Sequence, residues 1–227
     1  MFRISTDYAT FIFIRHAESE KNIRDIIGGE GDRLTLRGKQ EATEFSKKFL
    51  TSVDLSKHYN VISPNTPQTI ETAEEIAKSL KTDLTITNAL SSATLGIVGG
   101  LNNSQIASKY PDIFKRFVAW RNQEIEASDL QIPGMESPEK FWNRITYYLK
   151  TFNKDTNNVI VGTSSIMILA ANLILGKKPY KGGGYKHIAV NYCDTIAFEL
   201  QIDPNQFAAQ VVFMAKLIPN LTTMKLV

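Results

Sequence analysis

FIFIRHAESEKN, residues 11–22, decides how this chain reads. Four apolar residues in a row, with no polar alternation, mark a strand buried on both faces, as in the middle of a parallel sheet. Arg15 and His16 follow at once, where the carboxyl end of that strand is expected. Ligands of open α/β sheets gather at that end. An Arg beside a His there suits phosphorus chemistry, with the guanidinium neutralising phosphate oxygens while neutral imidazole attacks. A surface Arg next to a structurally satisfied His is the plain alternative, and the dipeptide alone does not separate the two in a chain with three His.

Outward from this segment, further short apolar runs at Asn60 to Ile62 and Val159 to Val161 read as buried parallel strands, and Thr195 to Leu200 and Gln210 to Leu217 as later strands. Helical stripes lie between them: Ala42, Phe45 and Phe49; Ile70, Ala73, Ala77 and Leu80; Ile106, Tyr110, Ile113, Phe117 and Trp120; Phe141, Ile145, Tyr148, Leu149 and Phe152. Ser137 before Pro138 predicts a helix start, and Gly176 a helix stop. Strands alternating with helices predict an α/β protein, a three-layer α/β/α sandwich around a mostly parallel sheet.

Composition agrees with one ordinary globular unit of residues 1–227: 43% hydrophobic, 22% charged, and no repeat or low-complexity linker. A net charge of +3, dispersed along the chain, predicts no nucleic-acid footprint, though phosphate-bearing small molecules stay open. The lone Cys193 cannot form an internal disulfide and has no zinc-ligand spacing around it, so a reducing, cytoplasmic setting is expected, with no metal. Val159 to Leu175 is uncharged but short of the roughly 20 apolar residues a bilayer span needs. It reads as a buried strand and a buried helix, so no membrane association is expected.

Six segments in order resemble motifs of the histidine phosphatase superfamily, the phosphoglycerate-mutase-like proteins. RHAESEKN is similar to the family's RHGE(T/S)xxN signature, with Ala17 where Gly is usual. LTLRGKQEA at 34–42, SPNTPQTIETA at 63–73, LSSATLGIVGGL at 90–101, IPGMESPEKFWNRI at 132–145 and VIVGTSSI at 159–166 resemble the motifs that follow. Asn191 in VNYC is similar to the entry of the family's final strand. The resemblance implies a phosphoglycerate-mutase-like fold with a lid-type helical insertion at about 101–137. It also implies metal-free, cofactor-free two-step phosphoryl transfer through a phosphorylated His. Residue by residue it makes Arg15 a phosphate-binding Arg, His16 the nucleophile and Asn22 a polar pocket residue.

The other family roles fall on altered residues. The second Arg falls at Gln68, or at Pro67 in the alternative register; the acid Glu at Ser92; the second His at Thr163; the Trp-Glu pair at Val98 and Gly99. One preorganised donor is worth about 10² to 10³ in rate and a general acid about 10² to 10⁴. A deficit on the order of 10⁴ or more is therefore expected, although such losses are not additive.

The leading expectation is a histidine-phosphatase-like protein that is not an efficient phosphatase. Its pocket, with Gln68, Ser92 and Thr163 as ligand-binding positions, takes a small polar or anionic molecule, preferably a carboxylate, a singly charged or a neutral one, and His16 serves as nucleophile or base. The second is a residual or specialised phosphomonoesterase or mutase working through phospho-His16. The third is a non-catalytic interaction module, for example a homodimer. His187 is weighed as a stand-in for the second His, and Glu18, Glu20 or Glu30 as a proton donor; solvated side chains are the expectation for all four. The glycine-containing loop KKPYKGGGYKH at 177–187 offers backbone that can approach an anion, with an ordinary solvated loop as the favoured alternative.

Overall fold

In the computed structural model, which describes residues 8–201, the apolar run lies in a strand β1, Tyr8–Arg15. Its residues alternate between two cores: Phe11 and Phe13 face one side, Ile12 and Ile14 the other. β1 pairs in parallel with β6 (Asn157–Gly162), which pairs in parallel with β3 (Tyr59–Pro64), which pairs in parallel with β4 (Leu84–Thr87). An antiparallel β7, Thr195–Gln201, closes the other edge and completes the order β4-β3-β6-β1-β7.

Helices α2 (Leu36–Ser52) and α3 (Pro67–Leu80) cover one face, packing Phe45, Phe49, Ala73 and Ile76 on Ile12, Ile14, Val61, Val159 and Val161. Helices α6 (Pro138–Leu149) and α7 (Ser164–Ile174) cover the other, setting Phe141, Trp142, Ile145 and Leu149 with Met167 and Leu169 around Phe11, Phe13 and Phe198. This is the expected α/β/α sandwich. Val159 to Leu175 is indeed a buried strand and helix, and no described helix is long and apolar enough to cross a membrane. Ser137 Oγ accepts the Lys140 N–H at the start of α6, and Gly176 follows α7 at φ +66°, a left-handed stop that suits glycine.

Several expectations need correcting. The stripe from Ile106 to Trp120 is two helices, α4 (Asn103–Lys109) and α5 (Pro111–Arg121), because Pro111 forces Tyr110 out of helical geometry, at φ −138° and ψ 62°. Phe152 lies beyond the end of α6 yet still packs, edge to Phe11 at 5.5 Å. Edge strand β4 and the small pair β2 (Ile26–Ile27) with β5 (Leu101–Asn102) are additional elements. The expected strand at Gln210 to Leu217 lies outside the described residues. Val98, Ile106, Ile113, Phe117, Leu130 and Ile132 form a small core of their own, apart from the two cores on the sheet.

Nor is 177–187 a plain solvated loop. The N–H groups of Gly182 and Gly184 donate to the two carboxylate oxygens of Glu126, at 2.7 and 2.9 Å, and the Ala127 N–H donates to Tyr185 O. The anion that this glycine run holds is a side chain of the same chain.

Candidate functional site

In the β1–β6 register Arg15 lies opposite Gly162, so His16 and Thr163 leave the sheet side by side. The His16 N–H donates to Gly162 O at 3.0 Å. β3 runs through Pro64 into α3, which starts at Pro67 and carries Gln68 in its first turn. After β4 a short turn at Asn88–Leu90 leads to Ser92. His16, Gln68, Ser92 and Thr163 therefore all follow carboxyl ends of neighbouring parallel strands.

The His16 imidazole is buried, 4% exposed, and its Nδ1 lies 2.7 Å from Ala17 O. A carbonyl oxygen only accepts, so Nδ1 carries the proton and, in the neutral ring, Nε2 carries the lone pair. Burial, opposed by the Ala17 bond and reinforced by the charges of Arg15 and Lys21, pushes the His16 pKa down to about 3. Ala17 needs no left-handed backbone here; its methyl is buried against Leu34 and Ala42, and its N–H donates to Thr72 Oγ1.

Below the unfolded value near 6.5 the unfolded chain binds a proton that the folded chain excludes. The His16 contribution is thus fully present above about pH 6.5 and is lost as pH falls from there toward the folded value of about 3. Urea titrations between pH 7 and pH 4 should show wild type losing stability, on the order of a few kcal/mol, with a steeper slope than His16→Asn. Equal slopes would contradict a buried neutral imidazole.

Arg15 stacks over the Tyr192 ring at 4.5 Å and donates through Nη1 to Val190 O. Among the described residues its buried Nε has no hydrogen-bond partner. Burial lowers its pKa, against the raising influence of Tyr192, Asp194 and Cys193. Burial also pushes the Cys193 thiol up to about 12, which leaves it protonated and unreactive.

The remaining predicted positions differ in what they touch. Asn22 turns Oδ1 to Ser19, accepting from its N–H at 3.1 Å and its hydroxyl at 2.7 Å. Gln68 is buried, and its Oε1 accepts the Asp32 N–H at 3.0 Å, tying the 30–32 loop to α3. Ser92 Oγ donates to Thr163 Oγ1 at 2.6 Å, and Thr163 Oγ1 lies 3.1 Å from Ser165 Oγ. Where the resemblance implies an acid and a second His, three hydroxyls bond to one another.

Glu18 is not the solvated carboxylate expected. It accepts from Thr35 Oγ1 at 2.9 Å and pairs with Arg37 at 3.6 Å, joining the signature loop to α2. Glu20 and Glu30 are exposed, as expected. His187 is half-buried rather than exposed, edge-on to Trp120 with ring centroids 4.8 Å apart, and burial lowers its pKa.

Three contributors escaped the sequence reading. Tyr192 supplies the face on which Arg15 lies. Lys21 places its charge near His16. Arg144 grips Glu136 through two nitrogens, at 2.9 and 3.2 Å, and donates to Ala89 O and Ser91 O, which anchors the segment carrying Ser92. Only Arg144 had a signal, as the helical Arg after PGMES.

The family model described as histidine phosphatase superfamily (branch 1) matches residues 11–211. The chain is 29% identical over 134 residues to a protein named "Probable phosphoglycerate mutase GpmB" from Salmonella choleraesuis (strain SC-B67). That match takes in 58% of this chain and 57% of the relative, so the chain spans little more than half the length of the curated relatives it matches. Among solved structures, phosphoglycerate mutase from Bacillus anthracis str. Sterne superposes with a TM-score of 0.70 at 16% identity, over 93% of this chain and 92% of that one. A mycobacterial glucosyl-3-phosphoglycerate phosphatase, Rv2419c, solved with VO3, gives 0.67 at 15% identity, over 83% and 90%.

Proposed function

Because the chain belongs to the histidine phosphatase superfamily (branch 1), we propose that it keeps the nucleophilic half of a phosphoryl-transfer site and lacks the proton-donating half. In this reading the pocket binds a small anionic molecule at Arg15 and His16. It transfers phosphoryl groups from donors whose leaving group departs without a proton, such as aryl or acyl phosphates, and is a poor phosphatase toward alkyl phosphates. The observation that carries it is the His16 ring: buried, neutral and anchored through Nδ1, it leaves Nε2 as a lone pair with fixed direction. The Ser92–Thr163 hydroxyl pair favours the second clause, because hydroxyls orient an oxygen but do not release a proton near neutral pH.

His16 Nε2 forms a P–N bond while the P–O bond to the leaving group breaks, and that group leaves with the electron pair. Water then attacks phosphorus, the P–N bond breaks, inorganic phosphate departs, and the water's proton passes to phosphate or solvent.

The test compares p-nitrophenyl phosphate with glycerol 3-phosphate, for wild type and His16→Ala, at high protein concentration. His16-dependent turnover of the aryl ester is expected, with kcat/KM for the alkyl ester lower by about 10² or more. Turnover that His16→Ala leaves intact sinks the proposal. So does equal His16-dependent turnover of both esters, which would require an unrecognised acid.

A further inference from the structure

A second cation, Lys21, makes its charge felt at His16 where no motif announced one. Lys21, in the single-turn helix α1 (Glu20–Ile23), is half-buried and extends its ammonium to Glu30 O at 3.0 Å. Two residues along the same loop, the Asp32 N–H is held by Gln68 Oε1. Gly31, between them, lies so close against the start of α3 that a side chain there would overlap Gln68 Oε1 and lie 2.8 Å from Pro67 Cδ. Lys21, the 30–32 loop and Gln68 thus form one contiguous wall.

The charges around this wall are unequally satisfied. Asp32 is paired with Arg24 and also accepts the Arg33 N–H, while Glu18 is held by Thr35 and Arg37. Lys21 forms no ion pair with any described carboxylate; its hydrogen-bond partner is a neutral backbone carbonyl. A carbonyl is a weaker partner for an ammonium than an anion is, so an incoming oxyanion can displace it. Burial lowers the Lys21 pKa, with Asp32 acting against it, and its charge is felt at His16 together with that of Arg15.

We propose that Lys21 is a substrate-binding residue: its ammonium leaves Glu30 O to grip a doubly charged tetrahedral oxyanion held between Arg15 and His16, and so selects phosphate dianions over carboxylates. This rests on the reading of the pocket as a phosphoryl site, but not on any turnover. With His16 neutral, Lys21 adds a second positive charge to that of Arg15, whose own charge is partly offset by the buried Asp194. The sequence-based expectation of a carboxylate or neutral ligand counted Arg15 alone.

The experiment is calorimetric or equilibrium-dialysis binding of inorganic phosphate to wild type, Lys21→Met, Lys21→Arg and Lys78→Met, with acetate as the singly charged comparison. Lys78 is exposed in the last turn of α3, remote from the start of that helix. The phosphate Kd should rise about 10-fold or more in Lys21→Met, stay near wild type in Lys21→Arg and Lys78→Met, and the preference over acetate should shrink only in Lys21→Met. Unchanged phosphate affinity in Lys21→Met overturns the proposal, as does wild type that fails to bind phosphate or a loss equalled by Lys78→Met. Phosphate binding that depends on Lys21, found without His16-dependent turnover, would sink the catalytic reading while leaving this one standing.

Discussion

A Gly38→Ala variant should be destabilised by about 3 kcal/mol or more, lowering Tm by roughly 6 to 12 °C for a chain of this size. Intrinsic helix propensity predicts the opposite sign, since Gly38 sits in the first turn of α2 and alanine there is worth about 1 kcal/mol over glycine. Packing overrides propensity because the added Cβ would overlap the Glu18 carbonyl oxygen and lie 2.9 Å from its carbonyl carbon. That neighbour is backbone in the signature loop, pinned by the bond from Thr35 N–H to Glu18 O and by the tie of Glu18 N–H to Glu41. It cannot rotate aside, so the loop or the helix must move. Thermal and urea denaturation beside Lys39→Ala, an exposed neighbour in the same helix, would decide the point. A Tm equal to or above wild type would mean that the approach of α2 to the loop is loose.

The largest gain in rate is expected from Ser92→Glu. If the pocket lacks only a proton donor for the leaving oxygen, a carboxyl at this position should raise kcat/KM for glycerol 3-phosphate by about 10² to 10⁴, while p-nitrophenyl phosphate, which needs no proton, changes little. Arg144 holds the Ser91 carbonyl at 3.1 Å, so the segment is anchored and the new side chain starts from a defined place. A falling alkaline limb should also appear, because the acid must be protonated to act. Steady-state kinetics with both esters, in the Ser92→Glu and Ser92→Gln variants, separates proton donation from mere bulk. Equal gains in the two variants, or equal gains for the two esters, would argue against a missing acid.

How much could be read from the residues alone depended on how local each cause was. FIFI announced a strand covered on both sides because each of its residues enters one core or the other. Pro111 carried its own warning, since the residue before a proline avoids helix, yet the regular apolar stripe from Ile106 to Trp120 masked it. LTIT at 84–87 was too short and too exposed on an edge to stand out. The site divided the same way. Arg15 and His16 are adjacent in the chain and were visible at once. The Ser92–Thr163 hydrogen bond joins residues 71 positions apart, and the stack of Tyr192 on Arg15 depends on the turn into an antiparallel edge strand. Neither leaves a periodic trace. Lys21 looked like any surface lysine because its burial and its nearness to His16 arise only when the 30–32 loop folds over it.

The carboxylate of Glu126, seated on the amides of Gly182 and Gly184, behaves as a permanently tethered competitor. A group attached to the same chain is always at hand, so a free anion can reach these amides only by displacing it. The glycine run is therefore a socket filled from within, and Glu126 is the plug through which residues 177–187 and the helical segment before Ser137 keep each other in register.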